Sequence, residues 1–341
     1  MKAMVLKALC NLKENQVPLE LMELPVPVPR EQEILLKVSA CGVCHTELDE
    51  IEGRAPPPRF PIIPGHQAVG RVEAVGLQVS TAKVGDRMGV AWIFSACGAC
   101  KFCLAGNENL CPTFAATGRD ANGGYAQYMT VAESFAYAIP EIFSDLQVAP
   151  LLCAGAIGYR SLRLTGLNDG QRLGLTGFGA SAHLVLKMAQ HRYPNSEVYV
   201  FARSAKERAF AEELGAAWTG DTTERSPHKL DSIIDTTPAW KPVVEALANL
   251  ESGGRLVINA IRKEIDNRSL LGLDYPIHLW QEKELKSVAN ITRRDVKEFL
   301  GLAAEMNLQP EIQVFALEQA NEALIELYTG KIRGAKVLKI G

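Results

Sequence analysis

Leu173-Gly174-Leu175-Thr176-Gly177-Phe178-Gly179-Ala180-Ser181-Ala182 is a short apolar run, broken by glycine and followed at once by small residues. Residues 173–176 predict a buried strand, Gly177 a turn, and residues 180–190 a helix. The same alternation continues downstream. Val198-Tyr199-Val200-Phe201 predicts a strand and residues 206–214 a helix. Residues 231–235 and 255–259 predict two further strands, with a helix near 241–250 between them. Strands alternating with helices specify a parallel sheet covered on both faces, a doubly wound α/β unit.

Upstream of residue 150 the pattern changes. Residues 31–39 predict a strand, and residues 69–75 alternate apolar with small or polar residues before Gly76. Pro25, Pro27, Pro29, Pro56, Pro57, Pro58, Pro61 and Pro64 interrupt the chain often, as in an irregular β barrel or sandwich. A helix near 294–306 and a closing strand at 336–340 fit either part by periodicity alone. The 341 residues suit two domains, and 47% hydrophobic with 22% charged residues is the balance of a soluble globular protein. A net charge of −3 argues against nucleic acid as a partner. No apolar run approaches the roughly 18 residues of a membrane span. The start, Met1 to Lys7, shows no secretory signal. The expectation is a cytoplasmic enzyme without a membrane partner.

Four of the eight cysteines lie close together: Cys97-x-x-Cys100-x-x-Cys103, then seven residues, then Cys111. Four thiolates carried by one loop suit a closed, tetrahedral, structural zinc site. An iron–sulfur cluster is the competing reading. Cys41, Cys44, His66 and Cys153 remain. Two sulfurs and an imidazole nitrogen can form an open zinc site. Equally, Cys41-x-x-Cys44 can be a redox pair, Cys153 a buried core thiol and His66 an ordinary loop histidine.

Gly42-Val43-Cys44-His45-Thr46, Gly65-His66-Gln67-Ala68-Val69-Gly70, the four-cysteine loop and Leu152-Cys153-Ala154-Gly155 occur in one order. Together they resemble the zinc-dependent alcohol dehydrogenases of the medium-chain dehydrogenase/reductase superfamily. The resemblance implies an α/β chain of two parts. Residues 1–148 and 290–341 would form a β-rich GroES-like catalytic domain with both zinc sites, and residues 149–289 a Rossmann dinucleotide-binding domain. It implies that Cys44, His66 and Cys153 hold a catalytic zinc, with Cys41 a neighbour. Thr46 would take the proton of the substrate alcohol, and His45 would touch the cofactor pyrophosphate. Trp92 would wall the substrate pocket, though a Trp there is also plain core. There are departures from the family pattern. Gln67 stands where Glu is common, Glu47 where Asp usually orients the zinc histidine, and Asp49 where some relatives have a relay histidine.

Gly177-Phe178-Gly179-Ala180-Ser181-Ala182 also resembles the dinucleotide fingerprint G-x-G-x-x-G/A, with Ala182 in the last place. Such a turn lets the backbone approach a pyrophosphate and points a helix N-terminus at it. After the second strand, Ala202 stands where an acid binds the ribose in NAD enzymes, followed by Arg203 and Ser204. Both can bind a 2′-phosphate, so NADP is favoured over NAD. Near the C-terminus Ala335 replaces a pyrophosphate-binding arginine, with Arg333 or Lys336 as substitutes. The reading is a zinc-dependent, NAD(P)-dependent alcohol dehydrogenase, active on a primary or secondary alcohol or its carbonyl product. Two zinc ions per chain and a homotetramer are implied. The alternatives are a polyol- or formaldehyde-type zinc dehydrogenase, or a non-catalytic nucleotide sensor on the same fold.

Overall fold

The computed structural model describes residues 1–179, 181–330 and 334–341. The chain divides into two units, Met1–Ala156 with Ile291–Gly341, and Ile157–Asn290. Cys153 thus lies in the first unit. Among the described residues no helix is long and apolar enough to cross a membrane.

The first unit is built on a seven-stranded sheet. Along its path the strands are Ile312–Ala316, Ala335–Lys339, Glu33–Val43, Ala68–Val75, Arg87–Val90 and Ala136–Ala138, with Tyr128–Ala132 paired to Glu33–Val43. The last fifty residues therefore complete this sheet. The long strand Glu33–Val43 pairs antiparallel with Ala68–Val75 and shifts register twice, which bends it. It delivers the chain to Cys44 and the helix His45–Ile51. Cys41 faces Ala68 across the pair, so the residues after His66 are registered against those before Cys44. Ile34, Leu36, Ile51, Tyr125, Phe143 and Phe299 are buried in this unit's core.

The second unit is a six-stranded parallel sheet in the order Trp218–Gly220, Val198–Phe201, Leu173–Thr176, Leu230–Asp235, Leu250–Ile258, Glu284–Ser287. Leu173–Thr176 and Val198–Phe201 are buried at every residue. That is why they read as continuous apolar runs and not as alternating ones: helices cover both faces. Its helices include Ala182–Arg192, Ala205–Glu213 and Lys241–Asn249, close to the expected spans. Tyr199, Phe201, Ile233, Val243, Leu247 and Leu256 share one core cluster. The outer strand Glu284–Ser287 is exposed along its length and carries no apolar signal.

Candidate active site

Cys44 precedes the helix His45–Ile51 in an extended conformation. Glu47, three residues on, turns back, and one carboxylate oxygen accepts the Cys44 N–H at 2.8 Å. Its other oxygen lies 2.6 Å from His66 Nδ1. One buried carboxylate therefore fixes two of the expected ligands, and sets the imidazole to present Nε2. Gly65 delivers His66 at φ +97°, and a Cβ there would stand 2.3 Å from the Tyr125 ring, so only glycine fits. Cys153 follows the 3-10 turn Ala149–Leu152, with its sulfur 3.9 Å from that of Cys44.

The ligand atoms of Cys44, His66 and Cys153 all lie within 4.8 Å of one another. His66 Nε2 is buried and has no hydrogen-bond partner. An orphaned imidazole nitrogen beside two thiols is costly unless something accepts its lone pair. Sulfurs held by one tetrahedral zinc at about 2.3 Å would be roughly 3.8 Å apart, close to the spacing seen. The residues fit the metal. Without it, a hydrogen bond from Cys153 holds Cys44 well below the usual thiol range, and the His66 ring adds to this against burial. The same contact, with burial, pushes Cys153 well above that range. Burial disfavours an imidazolium at His66, but the Glu47 carboxylate and Cys44 outweigh it and raise the ring's pKa well above its ordinary value. Cys41 is fully buried and burial raises its pKa, as for an inert core thiol.

Thr46 is buried with its hydroxyl 3.6 Å from Cys44 Sγ. Trp92 sets its ring perpendicular to His66 at 5.0 Å and is itself buried. His45, beside the ligand, is exposed. Asp49 is buried and accepts from Arg54 Nε at 2.5 Å. Glu50 Oε1 and Tyr125 OH are buried near this cluster with no hydrogen-bond partner. Sequence reasoning missed both, since nothing in a Glu or Tyr at these positions marks it as enclosed.

Cys97, Cys100, Cys103 and Cys111 form a second group with all sulfurs within 4.8 Å. Cys97 and Cys103 sulfurs are 3.9 Å apart, again a tetrahedral spacing. Backbone N–H groups of Cys97 and Cys100 point at the sulfurs of Cys111 and Cys97. The first of these bonds, with Thr113, lowers the Cys111 thiol to about 6. Glu108, inside the loop, is buried and accepts from both Arg293 N–H at 2.7 Å and Arg293 Nε at 3.0 Å.

In the second unit, Gly177 takes φ +79°, and its N–H donates to Phe201 O at 2.8 Å. Among the described residues, a Cβ on Gly179 would meet nothing within 4 Å, which leaves space over the start of the helix Ala182–Arg192. That opening fits a pyrophosphate. Ala202 is buried, whereas Arg203 and Ser204 are exposed at the strand's end. Ser204 precedes the helix Ala205–Glu213 without spending its side chain on a cap. Lys336 does not serve as the substitute for the missing arginine. It is buried and committed to Glu326 at 2.6 Å and Gln313 at 2.8 Å, because it lies inside the sheet. Arg333 lies outside the described residues.

Comparison with known proteins agrees with this geometry. Residues 30–141 match the alcohol dehydrogenase GroES-like domain. A probable alcohol dehydrogenase, AdhA, of Mycobacterium tuberculosis is 44% identical over 95% of this chain and 93% of its own. The chain belongs to the zinc-containing medium-chain alcohol dehydrogenases. An alcohol dehydrogenase of Geobacillus stearothermophilus is 33% identical over 96% of this chain and 98% of its own. Among solved structures, a cinnamyl alcohol dehydrogenase of Sorghum bicolor superposes with TM-score 0.82 at 25% identity, covering 99% of this chain and 97% of that one. Membership in the family accounts for the two groups of candidate ligands, Cys97, Cys100, Cys103 and Cys111 in one and Cys44, His66 and Cys153 in the other.

Proposed function

We propose that the protein interconverts a primary or secondary alcohol with its aldehyde or ketone, exchanging a hydride with a nicotinamide dinucleotide. The observation that carries the proposal is the buried, unpartnered His66 Nε2, converging with the Cys44 and Cys153 thiols. Cys44, His66 and Cys153 would hold the metal, and Glu47 would keep His66 in the tautomer that presents Nε2. Zinc bound there supplies a Lewis acid that lowers the pKa of the substrate hydroxyl. Thr46 accepts the hydroxyl proton while passing its own outward, since a hydroxyl both donates and accepts. A nicotinamide dinucleotide held at the glycine turn would supply the acceptor for the hydride of the carbinol carbon. Asp49 is committed to Arg54, so the proton leaves to water. The intact set of Cys44, Thr46, His66 and Cys153 speaks against a non-catalytic sensor. Gly177, Gly179 and Ala182 would receive the pyrophosphate. Elemental analysis of chelator-free protein should find about two zinc ions per chain. A panel of alcohols should then drive nicotinamide reduction at 340 nm. Iron with visible absorbance, or no turnover on any alcohol in a zinc-replete sample, overturns the reading.

The proposal extends to NADP as the preferred cofactor. Ala202 offers no carboxylate to a ribose 2′-hydroxyl and none to repel a 2′-phosphate. Arg203 and Ser204 supply an exposed charge and an unspent donor next to it. A charge-assisted contact of this kind is worth about 1.5–3 kcal/mol, roughly 10- to 100-fold in affinity. Arg203→Ala should weaken NADP and leave NAD nearly unchanged, and Ala202→Asp should shift the kcat/KM ratio further. An unchanged ratio in both variants removes the preference and leaves the zinc chemistry standing. The proposal also includes a cytoplasmic homotetramer, in keeping with a chain as short as the tetrameric members. Light scattering distinguishes four chains from two.

A further inference from the structure

Asp235 ends the strand Leu230–Asp235, directly beside Thr176 and the glycine turn that follows it. Its side chain is fully buried, and its partner Lys263 is only 10% exposed. The Lys263 ammonium donates to the Asp235 carboxylate, to Thr237 O at 2.8 Å and to Ala239 O at 3.1 Å. Its three donors are thus all used. The Trp240 ring stands 5.7 Å away. The neighbouring Glu264 continues the join: its N–H donates to Pro238 O at 2.8 Å, and its carbonyl accepts Trp240 Nε1–H at 3.2 Å. Residues 263–264 therefore hold the turn 236–240 from one side. The other side of that turn is the wall of the fingerprint. Thr236 N–H donates to Thr176 O at 2.9 Å. A Cβ on Gly177 would stand 2.8 Å from Thr236 Oγ1 and 3.0 Å from Thr237 Cγ2.

We propose that Lys263 is a positioning residue for dinucleotide binding. By tying the Thr237 and Ala239 carbonyls and balancing Asp235, it holds the turn 236–240 against Gly177 and keeps the pyrophosphate cradle open. The inference rests on the dinucleotide reading above. Two consequences of losing the ammonium separate by substitution. Lys263→Met leaves a buried carboxylate without a counter-charge, which lowers stability, and also releases two carbonyls. Adding Asp235→Asn removes the stranded charge but does not retie the carbonyls. Asp235→Asn alone keeps the tether.

The test is titration of NADPH and NADH by nucleotide fluorescence, beside a thermal melt of each protein. Lys263→Met should lower the melting temperature and raise Kd for both nucleotides about tenfold or more, since small misplacements of binding groups carry penalties of this order. The double variant should regain most of the melting temperature and keep the raised Kd. Asp235→Asn should bind within about threefold of the unsubstituted protein, well inside one decade of affinity. In steady state, nucleotide KM should rise in the double variant while kcat stays within about twofold, the mark of a ground-state positioning role. A double variant that binds like the unsubstituted protein overturns the proposal and makes Lys263 a stability residue only. Failure of the unsubstituted protein to bind either nucleotide overturns the dinucleotide reading itself, and this inference with it.

Discussion

The two metal-ligating groups use similar atoms and are assembled in opposite ways. Cys97, Cys100, Cys103 and Cys111 come from one continuous loop, and their sulfurs meet because the loop folds on itself. Cys44, His66 and Cys153 come from three places, and they meet only because the sheet is formed and registered. The first group offers four candidate ligands, enough to fill a tetrahedral shell. The second offers three and a carboxylate, Glu47, that braces two of them. A closed loop site stabilises its own segment, whereas an open one draws on the fold for its geometry and leaves a position for a reactant.

Substitutions can break this contrast. The largest effect is expected from Cys153→Ala, which removes one of three ligands from the open group. Turnover should fall about 10³-fold or more, the scale of several kcal/mol of lost electrostatic stabilisation. Metal content should drop from about two ions to one with the circular dichroism spectrum unchanged. Next comes Thr46→Val, which keeps shape and removes the hydroxyl. Loss of a proton-transfer group should lower kcat by about 10²-fold, with Thr46→Ser restoring most of it. A Thr46→Val enzyme with normal turnover would move the proton's route to water alone. Glu47→Gln sharpens the contrast, since Glu47 contacts two members of the open group, Cys44 and His66. Chelator competition should show about 10- to 100-fold weaker zinc binding at one site only. The smallest effect on turnover is expected from Cys103→Ser. Loss of about 2 kcal/mol would lower the melting temperature by roughly 4–8 °C, with kcat per folded molecule unchanged. Swapped phenotypes for Cys153→Ala and Cys103→Ser would reverse the two assignments.

How much of this was legible depends on how local each signal is. The strands at 173–176 and 198–201 are short, fully buried and bounded by turns, so they announce themselves in the sequence. The outer strand Glu284–Ser287 is exposed and mixed in polarity, and only its neighbour Leu250–Ile258 makes it a strand. The four-cysteine loop is legible for the same reason that it is self-contained. The open group needed several motifs read together. Lys336 misled because a lysine in a closing segment looks like surface, and only the sheet shows it buried against Glu326. The ion pairs of Glu108 with Arg293 and Asp235 with Lys263 have no sequence signature, because separations of 185 and 28 residues leave no periodic trace.

The pair Glu108 and Arg293 has a consequence for how the four-cysteine loop comes apart. The loop rises from the hairpin of Ile93–Ser95 and Ala115–Ala116 and is pinned a second time, partway along, where Glu108 meets Arg293. Stripping the metal removes what gathers the tip but neither of these attachments. The segment from Cys97 to Gly106 is then a tether anchored at both ends, and Lys101 is exposed within it. Trypsin should nick a chelated sample first after Lys101, and the two fragments should stay together until denaturant opens the sheet, where Glu33–Val43 and Arg87–Val90 pair with strands from beyond the cut.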